Sequence, residues 1–184
     1  MATKDKSRLG DGPLVGIITG SPNDLELVNK SQEVLTKLHI RSEIKVLSAH
    51  RTPALVHEYV STAQARGIEV LIACAGMANH LGGALAAQTL LPVIGVPLTS
   101  GAMGGLDALL STVQMPPGVP VATVGIDGTR NAAYLAARIL AIKYPEIIAY
   151  LEDDLEEQRK RYHSANNATI SSRSHRTSVS RRRR

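Results

Sequence analysis

Leu14-Val15-Gly16-Ile17-Ile18-Thr19-Gly20-Ser21-Pro22-Asn23-Asp24 is the stretch on which the fold turns. Residues 14–20 are short, apolar and rich in β-branched side chains, and they stop at Gly20. That is the pattern of a strand buried on both faces. Ser21 to Asp24 then makes a turn, with Asn23 or Asp24 standing where a helix N-cap belongs. Leu25, Val28, Val34, Leu35 and Leu38 fall roughly on one face of the helix that follows.

The same unit recurs down the chain. A second strand is expected over 43–48, ending at Ser48. Thr52 as N-cap and Pro53 at the first helical position then open a helix that Gly67 stops. A strand over 69–75 leads through Gly76–Asn79 into a helix over about 80–90, and a strand over 92–97 follows. The Gly-rich segment Thr99–Gly105 precedes a helix over 106–113, a fifth strand spans 120–125, and an Ala-rich helix spans 129–142. Pro145 opens a last helix, expected to run from Glu146 to about Tyr162.

Five strand–helix alternations with short connections define an α/β protein: a doubly wound parallel sheet of about five strands with helices on both faces, a three-layer α/β/α sandwich, plus an extra C-terminal helix. Crossovers in such a sheet are right-handed. Residues 14–163 make one domain, 1–13 a flexible N-terminus, and 164–184 a basic tail of Ser, Arg, Asn and Thr expected to be disordered.

The composition narrows the function classes. Five Tyr are the only aromatics, with no Trp and no Phe, so platforms for stacking nucleic-acid bases are missing. The net charge of +5 belongs to the tail, where Arg173, Arg176 and Arg181 to Arg184 face no acid. Without them the chain is near neutral, and a nucleic-acid partner is not expected. A single cysteine, Cys74, rules out an internal disulfide framework and suits a reducing compartment. Met1–Pro13 does not read as a signal peptide, and no apolar run reaches the ~18 residues of a membrane span, so a cytoplasmic protein is expected.

Ligands of parallel sheets sit at the carboxyl ends of the strands, which directs the search to the loops after the first three. In the first, Gly20 lets backbone approach an anion beside a helix N-terminus, Ser21 and Asn23 add polar contacts, and the Asp24 carboxylate suits two vicinal ribose hydroxyls. The bland alternative is a capped turn. In the second, Ser48-Ala49-His50-Arg51-Thr52-Pro53, Arg51 suits a phosphate and His50 suits proton transfer near neutral pH. In the third, the small residues Ala75, Gly76 and Ala78, with Met77 and Leu81, let a planar ligand lie against backbone. His80 reads either as a ligand contact or as a satisfied histidine near a helix start. Gly82-Gly83 suggests close packing or movement.

Several chemistries lack their residues. The first loop is not G-x-G-x-x-G, and no Gly-Lys-Ser/Thr P-loop occurs. A phospho-receiver would need Asp where Ala73-Cys74-Ala75 stands. No His, Cys and carboxylate set has metal-ligand spacing, and Cys74 reads as an inert core thiol.

Five stretches together carry a resemblance: Gly20–Asp24, Ser48–Pro53, Ala75–Leu81, Pro92–Pro97 and Ser111–Pro116. Over about residues 14–150 the chain resembles the N5-carboxyaminoimidazole ribonucleotide mutases of de novo purine biosynthesis, the PurE proteins. The resemblance implies a flavodoxin-like fold, a homo-octamer, a small ribonucleotide substrate and no cofactor. It also implies that Ser48 and Arg51 bind phosphate with help from the first loop, and that Asp24 binds the ribose. Ser21, His50, Ala75 and Gly76 would then surround the imidazole and the moving carboxylate, with His80 and Leu81 completing the wall. Many members have Ser where this chain has Asn23, and Pro where it has Gly82.

A related branch carboxylates aminoimidazole ribonucleotide directly with CO2. It typically has Lys in place of Arg51 and lacks the histidine at 80, so this chain resembles the mutase branch. The competing readings are that direct carboxylase, or a non-catalytic nucleotide-sensing module on the same fold. On the mutase reading CO2 is released and recaptured within the site, and His50 gives and takes the proton.

Overall fold

The computed structural model describes residues 12–180, with side chains described through Ser164 and at Asn166. Apart from Gly12 and Pro13, the expected N-terminal arm lies outside the described residues, as do Arg181 to Arg184. Five strands form one sheet: β1 (Val15–Thr19), β2 (Ser42–Val46), β3 (Val70–Gly76), β4 (Val93–Leu98) and β5 (Ala122–Thr123). Every pairing is parallel, in the order β2-β1-β3-β4-β5. This is the flavodoxin-like order, and its reversal point falls between β1 and β3.

The helices are α1 (Leu25–Lys37), α2 (Pro53–Ala63), α3 (Leu81–Ala86), α4 (Leu106–Val113), α5 (Thr129–Ala141) and α6 (Glu146–Ser180). Side chains alternate across the sheet with period two, and this alternation builds two cores. On one face Ile17, Val70, Ile72, Cys74, Ile94 and Val96 pack with Val28 and Leu35 of α1, Ala132, Ala136 and Leu140 of α5, and Ile147 of α6. On the other, Ile18, Leu71, Ala73 and Val93 pack with Val56, Tyr59 and Val60 of α2 and Leu81 and Leu85 of α3. Cys74 is fully buried, and burial pushes its thiol far up, in keeping with an inert core residue.

At the sheet edge, β2 is held to α2 and the turn after it by Glu43, which accepts from the Tyr59 hydroxyl at 2.9 Å and pairs with Arg66. Burial opposes the charge on Glu43, but the Arg66 and Tyr59 bonds outweigh it and hold the carboxyl below its ordinary range. Gly67 ends this segment at φ 91°, as a left-handed stop requires.

Four expectations need correction. The fifth strand is only two residues long, not six; Pro120 has no N–H to donate, and pairing reaches only Ile94 and Gly95. The helix expected over 80–90 stops at Ala86, because the chain must turn back through Thr89, whose hydroxyl accepts from the Leu91 N–H at 3.1 Å, to start β4. Neither Asn23 nor Asp24 caps α1 with its side chain; a single 3₁₀ turn over Pro22–Asp24 intervenes, capped by Ser21 Oγ, which accepts from the Asn23 N–H at 3.3 Å. Finally, α6 does not end near Tyr162: the helix is assigned from Glu146 to Ser180.

Gly95, in the middle of β4, lets α4 pack close against the sheet. A Cβ there would overlap the Thr112 side chain of α4 and come within 2.8 Å of Val121 Cγ1. Gly95→Ala should lower unfolding free energy by about 1–3 kcal/mol, the range for overpacked cores. Denaturant titration checks this, and wild-type stability would show that α4 yields.

Candidate active site

The site is built from strand ends. At the end of β1, the Thr19 hydroxyl lies 3.4 Å from both Asp24 Oδ2 and the Ser21 carbonyl. Asp24 is partly buried and does not serve as a cap, so its carboxylate keeps acceptor capacity for a ligand. Burial raises its pKa, and the Thr19 bond pulls it back only in part.

The loop after β2 is closed by Thr52. Its hydroxyl donates to the Ser48 carbonyl at 3.1 Å and accepts from the Ser48 N–H at 2.9 Å, so Thr52 staples the loop rather than capping α2 through its side chain. Ser48 Oγ accepts from the Arg51 N–H at 3.2 Å, which leaves its own proton for a ligand. Arg51 is exposed, and no ion pair engages its guanidinium among the described residues. A serine hydroxyl and an uncommitted guanidinium on one turn suit a phosphate.

The loop after β3 turns sharply at Met77, at φ 55°, where the Asn79 N–H bonds back to the Met77 carbonyl at 2.9 Å. Asn79 is wholly buried; its Nδ2 donates to the Val96 carbonyl at 3.5 Å and its Oδ1 has no partner. This anchor presents His80 at the N-cap position of α3, where its ring makes no cap bond. Instead His80 Nδ1 lies 2.7 Å from His50 Nε2, with the two rings edge to face at 72°. His80 thus lines the pocket with its ring partnered by the histidine of the second loop. A neutral imidazole donates through one nitrogen and accepts through the other. The shared bond survives in the neutral pair and with one added proton, but two imidazoliums would leave no acceptor between them.

All fourteen residues singled out in the sequence line one cavity of about 330 Å³ across the ends of β1, β2 and β3. A fifteenth, Ser100 after β4, was missed. Strand order was the signal that could have found it, because β4 lies beside β3. Ser100 packs over the α-carbon of Gly76, where a Cβ would overlap it, and the Ser100 hydroxyl is buried without a partner. Gly82 and Gly83 serve close packing: a Cβ would meet Val121 at 3.3 Å or Met115 Sδ at 2.9 Å. A larger groove of about 650 Å³ lies between α1, α5 and α6, but Glu33, Lys37, Arg130 and Asp154 in its wall pair among themselves and no strand end reaches it. Among the described residues, no group of three or more His, Cys, Asp or Glu could hold a metal ion, and no helix is long and apolar enough to cross a membrane.

Fold and cavity define a class: a flavodoxin-like α/β protein with an anion-suited turn, a carboxylate and a coupled pair of imidazoles gathered at the reversal point of its sheet. The family model described as AIR carboxylase matches residues 14–161, and the chain belongs to that family. It is 58% identical over 148 residues to the N5-carboxyaminoimidazole ribonucleotide mutase of Pyrococcus abyssi, covering 80% of this chain and 85% of that one. With the mutase of Pyrococcus horikoshii it shares 52% identity over 155 residues, 84% of this chain and 88% of the relative. The crystal structure of Treponema denticola PurE superposes with a TM-score of 0.77 at 29% identity, covering 84% of this chain and 97% of the other.

The imidazole pair is directly observable. In nitrogen-resolved NMR, the His50 ring nitrogens should shift when His80 is replaced by Leu, because the shared proton loses its partner. His50 resonances indifferent to that substitution would contradict the bond.

Proposed function

We infer that this protein interconverts N5-carboxyaminoimidazole ribonucleotide and 4-carboxy-5-aminoimidazole ribonucleotide, an isomerisation in purine biosynthesis. The observation that carries the reading is the His50–His80 pair in the same cavity as Ser48, Arg51 and Asp24. The names of the relatives, at 52–58% identity, support it. Arg51 and Ser48 hold the phosphate, with Asn23 and the backbone at Gly20 and Ser21 beside it. Asp24 accepts from the ribose hydroxyls. Ala49, Ala75, Gly76, Ala78 and Leu81 give the small and apolar surface on which a heterocycle lies flat.

The chemistry conserves oxidation state. The bond from the exocyclic nitrogen to the carboxyl carbon breaks, its electron pair stays on nitrogen, and that nitrogen takes a proton from His50. The CO2 so released is attacked by the ring carbon, forming the C–C bond. The same carbon then gives its proton to His50, which restores the starting state. Nothing in this sequence calls for a redox group or a phosphoryl donor, so no cofactor is assigned. His80, bonded to His50, orients the ring and shares the charge as the proton moves. Because CO2 is recaptured where it is formed, proximity supplies much of the rate.

The homo-octamer and the cytoplasmic setting are part of the same reading. Leu106, Leu110 and Val113 of α4, with Met103 just before the helix and Ile126 beside Gly105, are 38–58% exposed and make an apolar face suited to burial between copies. A sedimentation mass of one chain would contradict the octamer.

His50→Asn should cut turnover by about 10²–10⁴-fold, the usual contribution of a proton-transfer group, with nucleotide binding retained. Arg51→Ala should raise KM about 10-fold or more through the lost phosphate bond. Steady-state kinetics and calorimetry separate the two, and near-normal turnover in His50→Asn would remove that residue from proton transfer.

A further inference from the structure

Met77 holds a conformation that works against it. Its φ of 55° lies in the left-handed region, which costs a residue with a long side chain free energy that glycine avoids. The turn itself accounts for that angle, since the Asn79 N–H reaches back to the Met77 carbonyl at 2.9 Å. It does not account for the side chain, because a glycine would make the same turn. Nor does the core need it: Met77 is 58% exposed and belongs to neither buried cluster.

The side chain lies at the mouth of the cavity. It lines the same space as His50 and His80. Its Cγ stands 3.5 Å from where a Gly101 Cβ would be, and Gly101 itself sits at φ 66°. Next to that contact, Ser100 packs over Gly76. The loops after β3 and β4 therefore meet at two adjacent points beside the cavity, and the thioether side chain of Met77 is one of them.

We propose that Met77 is a retention residue: an apolar cover that keeps released carbon dioxide over the heterocycle until the ring carbon captures it. The proposal rests on the mutase reading. Carbon dioxide has no charge for Arg51 or the histidines to hold, so only walls that exclude water and close the exit can keep it. An unbranched thioether chain is apolar and adapts to an irregular gap. A strained backbone kept at a site mouth, where it adds little to the core, fits a side chain retained for what it covers.

The test uses the full-length protein and N5-carboxyaminoimidazole ribonucleotide carrying carbon-13 in its carboxyl group, in buffer with unlabelled bicarbonate. Mass spectrometry reads the label kept in the product, and free aminoimidazole ribonucleotide is measured beside it. Wild type should keep most of the label. Met77→Gly should lose several-fold more label and free several-fold more aminoimidazole ribonucleotide per product formed, while melting no lower than wild type because the left-handed turn is relieved. Met77→Leu should restore retention. Met77→Gly that keeps the label as wild type does would overturn the role of Met77 alone. Wild type that converts no substrate would overturn the mutase reading and this inference with it.

Discussion

Parallel pairing of β1 with both β2 and β3 makes three loops leave the sheet at the same edge. Neighbouring strands lie about 4.8 Å apart, so the ends of β2 and β3 stand roughly 10 Å from each other across β1. That span suits two histidine side chains reaching toward one another, and His50 and His80 do meet, at 2.7 Å, above the end of β1. Every other feature of the site depends on this arrangement. The strand order brings Asp24 from the end of β1, Arg51 from the end of β2 and Ser100 from the end of β4 to the same cavity. A slip of one residue in register would turn Ile17 and Ile18 to each other's faces and undo both cores, so packing fixes the edge as well as the centre.

Each loop is held by bonds that do not use up its functional groups. Thr52 staples the second loop through the Ser48 backbone, which leaves the Ser48 hydroxyl proton and the Arg51 guanidinium available. Buried Asn79 holds the third loop from below, against the Val96 carbonyl, while His80 points the other way to His50. In the first loop Ser21 caps the 3₁₀ turn, and this releases Asp24 from the capping role. The groove between α1, α5 and α6 is the contrasting case. Burial raises the pKa of Asp154 there, but bonds from Lys37, Tyr134 and Gln158 outweigh it and hold the carboxyl below its ordinary range. Those groups are spent on joining α6 to the rest of the molecule.

Much of this was legible before the coordinates, for physical reasons. Residues 15–19 and 70–76 form central strands, and burial on both faces demands the continuous apolar runs by which they were found. The fourteen residues that line the cavity were legible because strand ends are marked by Gly, Ser and small residues where apolar runs stop. What failed depended on tertiary context. The shortness of β5 follows from how little of β4 it pairs with, which no local pattern records. Ser21 displaced Asp24 as a cap because a 3₁₀ turn intervenes. The bond between His50 and His80 joins residues thirty positions apart, and nothing in either loop alone announces it. Ser100 follows the fourth strand, and only the sheet order, which sets β4 beside β3, brings it to the loops of the first three.

The central claim is that a nucleotide lies across the ends of β1, β2 and β3 with its heterocycle under the imidazole pair. A crystal structure with 4-carboxy-5-aminoimidazole ribonucleotide bound tests it most directly. The account requires the phosphate against Ser48 and Arg51, the ribose on Asp24, and the base within hydrogen-bond reach of His50. A nucleotide seated in the groove between α1, α5 and α6, or a His50 ring turned away from a bound base, would contradict it.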